Sequence, residues 1–142
     1  MAAAASIARL IGANLNVVLV ESDAIGTVGV GEATIPPFRT LHRLLRIDEA
    51  EFLSRVQGTI KLGIQFEGWG DPGDAYMHAF GSTGRGLAYL PFHHYWLRAQ
   101  AQGLRSDLWD FNFNLKAAHA NKFQRVDPDP QSGIDALVYA FH

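Results

Sequence analysis

The sequence of 142 residues contains no cysteine. That absence excludes a disulfide framework, a thiolate metal site and cysteine catalysis together, and it fits a reducing cytoplasm. A surplus of one charge is also missing. Twelve Lys and Arg stand against 14 Asp and Glu, interspersed, for a formal net charge of −2. No basic stripe is left for nucleic acid or an anionic membrane. Long apolar runs are absent too, none approaching the roughly 18 residues of a membrane-spanning helix. The opening MAAAASIARLIGANLNVVLV lacks a basic region ahead of its apolar stretch, and Arg9, Asn14 and Asn16 interrupt that stretch, which argues against a secretory signal. What is present is globular in composition, 48% hydrophobic and 18% charged. The length allows one domain with a real core.

Ala2 to Ile11 reads as a helix of small residues, with Gly12 where a C-cap glycine belongs. Val17-Val18-Leu19-Val20 is a short β-branched run, the pattern of a strand buried on both faces of a parallel sheet, and Glu21 follows it. Pro36-Pro37 stops any helix from running through, after which Phe38, Leu41, Leu44 and Leu45 follow helical spacing. Asp48 and Glu51 resemble a capping box ahead of a second helical face at Phe52, Leu53, Val56 and Ile60. The period then changes to two. Ile60, Leu62, Ile64 and Phe66 alternate with Lys61, Gly63, Gln65 and Glu67, which puts Lys61 on the polar face of a strand. Asp71 to Gly86 reads as a loop, Leu90 to Gln102 as a helix ended by Gly103, and Trp109, Phe111, Phe113 and Leu115 as an alternating strand. Ala136 to Phe141 looks like the start of another strand or helix.

A helix of small residues followed by a buried strand ending in an acid is the second half of a dinucleotide-binding βαβ unit. Glu21 is then the acid that meets the adenosine ribose, with Ser22 beside it. The strand and glycine-rich turn that hold the pyrophosphate would precede the helix, and the chain starts at that helix. Alone, the pattern also suits an ordinary structural helix and strand. The next stretch is far more specific. Thr27-Val28-Gly29-Val30-Gly31-Glu32-Ala33-Thr34-Ile35-Pro36 closely resembles the GVGEAT(I/V)P segment of the flavin-dependent tryptophan halogenases. Ile60-Lys61-Leu62-Gly63-Ile64-Gln65-Phe66-Glu67-Gly68-Trp69 is similar to the strand bearing that family's catalytic lysine. His78-Ala79-Phe80-Gly81 resembles a substrate-pocket segment. His94-Tyr95-Trp96-Leu97-Arg98 and Tyr139-Ala140-Phe141-His142 are further matches, and the similarity thins between Leu104 and Asp135.

The resemblance implies an α/β chain, part of a Rossmann-like FAD-binding domain of the flavin monooxygenase and halogenase type, truncated at both ends. Residues 1–70 would form the dinucleotide-binding and lysine-strand region and residues 71–142 the start of the substrate pocket. It implies FAD as reduced flavin, with chloride or bromide and oxygen as co-substrates. Their reaction gives hypohalous acid, which crosses a tunnel to a separately bound indole or other aromatic ring. Lys61 corresponds to the amine that hydrogen-bonds this acid or becomes a haloamine. An apolar setting would lower its pKa and favour the free amine. Glu21, Ser22, Val28, Val30, Glu32 and Ala33 would contact the flavin, with Glu32 hydrogen-bonding along the flavin or halide path. His78 and Phe80 would flank the substrate ring and fix its orientation. A separate flavin reductase is the implied partner.

Three departures and alternatives stand beside that reading. The family's WxWxIP motif and its downstream catalytic glutamate have no counterpart in these residues, so the chain alone is expected to bind flavin poorly, to be marginally stable and not to halogenate. A different flavin monooxygenase would need neither Lys61 nor the His78 and Phe80 pair, and an inactive truncated product would use none of them. Read without the flanking matches, Lys61 is a strand lysine facing water, Glu32 a solvated loop acid, and His78 a loop histidine. His93 and His94 are adjacent with no acid at ligand spacing, so no metal is assigned.

Overall fold

The structure is a computed structural model that describes residues 2–26, 33–125 and 138–142. It divides into two compact units, Met1–Thr59 with Ala140–His142 and Ile60–Tyr139. The mixed α/β composition is that expected from the sequence.

In the first unit, α1 (Ala2–Ile11) ends at Gly12, whose φ of +61° is the left-handed conformation that glycine adopts without strain, and a 3₁₀ turn (Gly12–Asn14) follows. Residues 15–20 form no ladder, so the strand expected at Val17–Val20 is not present. A strand exists only where a neighbour takes its N–H and C=O groups, and no described segment does so here. The apolar side chains stand in the open accordingly, Val18 at 75% and Val20 at 88% exposure. The backbone turns at Ser22, whose carbonyl accepts from Ile25 N–H at 3.1 Å.

Helix α2 (Phe38–Leu45) starts directly after Pro37, as the proline pair requires, and stops where Arg46 adopts a left-handed φ of 56°. It packs against α1. Its inner face differs in one position from the expected one: His42 is buried and Leu44 is exposed. Phe38, His42 and Leu45 are separated by four and three residues, so the histidine completes the apolar stripe. Helix α3 (Glu49–Val56) begins at Asp48, whose side chain accepts from Glu51 N–H at 2.8 Å. Only this half of the capping box is described. The Glu51 carboxylate turns instead to Arg55, one turn on, at 2.9 Å.

The second unit opens with β1 (Ile60–Lys61) and an antiparallel hairpin of β2 (Gly63–Glu67) and β3 (Ala75–Ala79). Its register pairs Gly63 with Ala79, Ile64 with His78 and Phe66 with Tyr76. The expected loop over residues 71–86 therefore contains a strand. A side chain at position 63 would meet Met77, the His78 carbonyl and the Ala79 backbone at 2.6–2.8 Å, so glycine is what lets β2 and β3 close. The connection Gly68-Trp69-Gly70-Asp71-Pro72-Gly73 spells the dinucleotide pattern G-x-G-x-x-G letter for letter. It joins two antiparallel strands rather than a strand and a helix, so no helix N-terminus stands ready for a pyrophosphate.

Helix α4 (Phe92–Ala101) ends as expected before Gly103, whose φ is +97°. The alternating strand expected from Trp109 to Leu115 is instead a 3₁₀ turn (Leu108–Phe111) and α5 (Phe113–His119). Two caps decide it. Asp107 accepts from Trp109 N–H at 2.9 Å, and Asn112 accepts from Leu115 N–H at 2.9 Å. Each satisfies a donor that a helix start otherwise leaves unpaired, which outweighs a four-residue alternation. Helix α5 packs on β2 and β3. The last strand, β4 (Ala140–Phe141), belongs to the first unit; it resolves as a strand the end of the stretch expected to begin a strand or a helix, whose first residues, 136 and 137, lie outside the described residues.

Candidate functional site

The second unit holds the residues expected on the substrate side, Lys61, His78 and Phe80. Lys61 lies half-buried at the end of β1, and its Nζ stands 5.8 Å from the centroid of the Phe80 ring. Phe80 is held there by its backbone, its N–H donating to the Leu62 carbonyl at 2.8 Å. A cation over an aromatic face is attracted by the ring quadrupole, so the two side chains stabilise each other's placement. His78 sits two residues before Phe80 on β3, opposite Ile64, with its side chain exposed. The imidazole is carried by the hairpin, and the amine and the aromatic ring flank it, Lys61 just before β2 and Phe80 just after β3.

The residues expected to meet the cofactor belong to the first unit. Glu21 and Ser22 are exposed at the end of the extended 15–20 segment, and Ala33 is exposed beside Thr34. Val28, Val30 and Glu32 lie outside the described residues. An exposed carboxylate with a hydroxyl beside it suits ribose hydroxyls, so the adenosine end of FAD fits the chemistry present. An open apolar cavity of about 440 Å³, bounded by Ala2, Ala5, Leu19, Phe38, Leu41 and Phe52 among others, offers almost no polar surface. It has nothing with which to hold a pyrophosphate.

Thr34, the last threonine of the glycine-rich segment, is fixed by Phe141. Its N–H donates to the Phe141 carbonyl at 2.8 Å and its Oγ1 accepts from Phe141 N–H at 2.8 Å. Thr59 and His142 exchange backbone hydrogen bonds at 2.8 and 3.0 Å. The Phe141 ring closes a cage around His42, stacked at 5.5 Å, with Phe52 at 4.4 Å and Phe38 at 4.5 Å from the imidazole.

His42 is 3% exposed, and its Nδ1 has no hydrogen-bond partner among the described residues. Burial lowers its pKa below the ordinary 6.5, against the smaller opposing pull of the Glu49 carboxylate, which Arg39 pairs at 3.2 Å. The unfolded chain therefore takes up a proton before the folded one does. Stability is complete above the unfolded value and falls as pH drops from about 6.5 through the folded value. Thermal unfolding of the full-length gene product between about pH 7.5 and 5 is expected to show this loss, and His42→Leu is expected to shrink it. Equal pH slopes in the two proteins would contradict the assignment.

The family model described as tryptophan halogenase matches residues 1–142. The chain belongs to the tryptophan halogenase family. A flavin-dependent halogenase from Xanthomonas campestris is similar at 47% identity and a TM-score of 0.83, over 99% of this chain and 27% of that one. Another from a Brevundimonas species gives 32% identity and a TM-score of 0.84, over 99% and 28%. Among curated proteins, a tryptophan 6-halogenase of Streptomyces toxytricini is 37% identical over 90 residues, 63% of this chain and 17% of that protein. The described architecture is thus a part of the halogenase fold, and the chain spans between about a sixth and a little over a quarter of these relatives.

Within the tryptophan halogenase segment, sequence reasoning missed three buried polar residues: His42, Asn112 and Asn114. The spacing of Phe38, His42 and Leu45 carried the signal for the first. For Asn112 the signal was an Asn directly before a helical run, the N-cap pattern, whereas Asn114 lies inside that helix and carried none.

Proposed function

We propose that the chain carries the halogen-handling amine of a flavin-dependent halogenase acting on an indole or a related aromatic ring. The observation that supports this most is Lys61 Nζ over the Phe80 ring at 5.8 Å, the two residues flanking the hairpin that bears His78. In this reading residues 1–70 supply the nucleotide-binding and lysine-strand region, and residues 71–142 open the substrate pocket. Glu21 and Ser22 hold the ribose, and Val28, Val30, Glu32 and Ala33 line the flavin side. Bound reduced FAD, with oxygen and chloride or bromide, supplies hypohalous acid.

Lys61 then does one of two things. Its ammonium donates a hydrogen bond to the hypohalous acid, which makes the halogen more electrophilic. Alternatively its free amine takes the halogen, the N–halogen bond forming as water leaves. Either way the halogen passes to a ring carbon, and the ring proton is lost. Phe80 and His78 orient the ring, so that one carbon meets the halogen. A separate reductase supplies the reduced flavin, and the reaction is assigned to the cytoplasm, which the cysteine-free sequence fits.

The test supplies the full-length gene product with a flavin reductase system, FAD, oxygen, bromide and L-tryptophan. The expected product shows the bromine isotope doublet and is absent without halide. A product that has gained oxygen, formed equally well without halide, would instead identify a hydroxylating monooxygenase.

A further inference from the structure

Asn112 and Asn114 are 1% and 4% exposed, yet neither touches Lys61 or the Phe80 ring in any described contact. A buried amide is costly unless its hydrogens are used, so where they go tells what the residue is for. Both Nδ2 hydrogens of Asn114 go to main-chain carbonyls distant in sequence, Phe80 at 2.8 Å and Val138 at 2.7 Å. Asn112 works three residues further along the same segment. Its Nδ2 donates to Thr83 Oγ1 at 3.2 Å and reaches the Ser82 carbonyl at 3.4 Å, while its Oδ1 caps α5.

The Phe80 backbone is therefore held on both sides. Its N–H is tied to Leu62, the residue after Lys61, and its C=O to Asn114. Directly after it, Gly81 adopts a φ of +87°, with Asn114 Nδ2 3.6 Å from where a side chain would begin. A segment that leaves a strand through a left-handed glycine has no ladder to keep its direction. That direction comes from the two asparagines, Asn112 capping α5 and Asn114 within it, together with a main-chain bridge between Thr83 and Asn112 and Gly84 N–H donating to the Phe111 carbonyl at 2.9 Å.

We propose that Asn114 is a positioning residue, whose amide fixes Phe80 beside Lys61 and so sets how the aromatic substrate lies against the halogen-bearing amine. This rests on the halogenase reading for the identity of the substrate, but the clamp on Phe80 stands apart from it. Asparagine is required because both donors are used. Aspartate has the same shape and no donor, and it would face two carbonyl oxygens.

The test compares the full-length gene product with Asn114→Asp and with Asn114→Ser, which keeps one donor in a smaller side chain. Amide hydrogen exchange of residues 80–83 is expected to accelerate about tenfold in Asn114→Asp, the scale of leaving a buried acceptor unpaired, with α4 unchanged. The KM for the aromatic substrate is expected to rise by about as much, with a broader set of halogenated isomers and unaltered FAD affinity. Asn114→Ser gives the same pattern at smaller amplitude. Exchange at 80–83 equal to wild type would overturn the proposal. So would acceleration spread evenly over residues 60–139 with KM and isomer ratio unmoved, because a merely structural asparagine behaves that way. If the wild-type protein halogenates no ring, the functional reading fails on its own, and local acceleration at 80–83 still upholds the clamp.

Discussion

Lys61→Ala in the full-length gene product is expected to cut halogen transfer to the ring by about three orders of magnitude, the scale of losing a group that acts on the reacting atoms. Oxidation of reduced FAD should continue at its normal rate, since in the proposed reaction Lys61 acts on hypohalous acid after the flavin has supplied it. Lys61→Arg sharpens the result. Arginine keeps a positive charge over Phe80, but its guanidinium stays protonated and cannot become a haloamine. If the amine itself carries the halogen, arginine fails as badly as alanine. If a hydrogen bond to hypohalous acid suffices, arginine retains part of the activity. The competing view is a strand lysine facing water, and a substitution there moves stability by no more than about 0.5 kcal/mol and leaves turnover alone. Product yield and flavin oxidation, measured together by chromatography and absorbance, separate these cases.

Phe141→Ala is the substitution expected to cost most in stability. The side chain is 3% exposed and packs on both His42 and Phe52 at 5.5 Å, so its removal opens a cavity at the centre of the first unit. Deleting a buried phenylalanine costs about 3–5 kcal/mol, a large share of the 5–15 kcal/mol that holds a typical domain folded. Phe141→Leu, which refills most of the space, should cost roughly 1 kcal/mol. Tyr89→Ala is the matching control, because Tyr89 is 100% exposed and should change nothing. Denaturant unfolding ranks the three. A Phe141→Ala protein as stable as the Tyr89 control would refute the cage.

These effects trace how far the sequence could be read. Helices α1, α2, α3 and α4 were legible because each carries its own start or stop: Gly12 and Gly103 at C-termini, Pro37 and Asp48 at N-termini. The extended stretch with Lys61 was legible from a change of period at Ile60, but not its break at Leu62 into β1 and β2. Its partner β3 was not. Tyr76, Met77 and His78 have no clear alternation, and what makes them a strand is the pairing with β2 across Gly63. Val17–Val20 fails for the opposite reason: the local pattern is strong, but no described strand lies beside it. Between Trp109 and Leu115 the caps at Asp107 and Asn112 override a four-residue alternation that by itself favours a strand. For the candidate site, resemblance gave Lys61, His78 and Phe80, while the clamp behind Phe80 was invisible. Asn114 meets residues 34 and 24 positions away, and no local pattern encodes a partner at that distance.

The most direct test of the central proposal, that Lys61 directs the halogen to the ring, is a partition measurement. The wild-type protein and Lys61→Ala each turn over reduced FAD, oxygen and bromide in the presence of L-tryptophan and a soluble scavenger of hypobromous acid. Wild type should brominate the ring and leave the scavenger nearly untouched. In Lys61→Ala the same flux should appear on the scavenger and almost none on the ring. Ring bromination that survives in Lys61→Ala at the wild-type ratio would contradict the account.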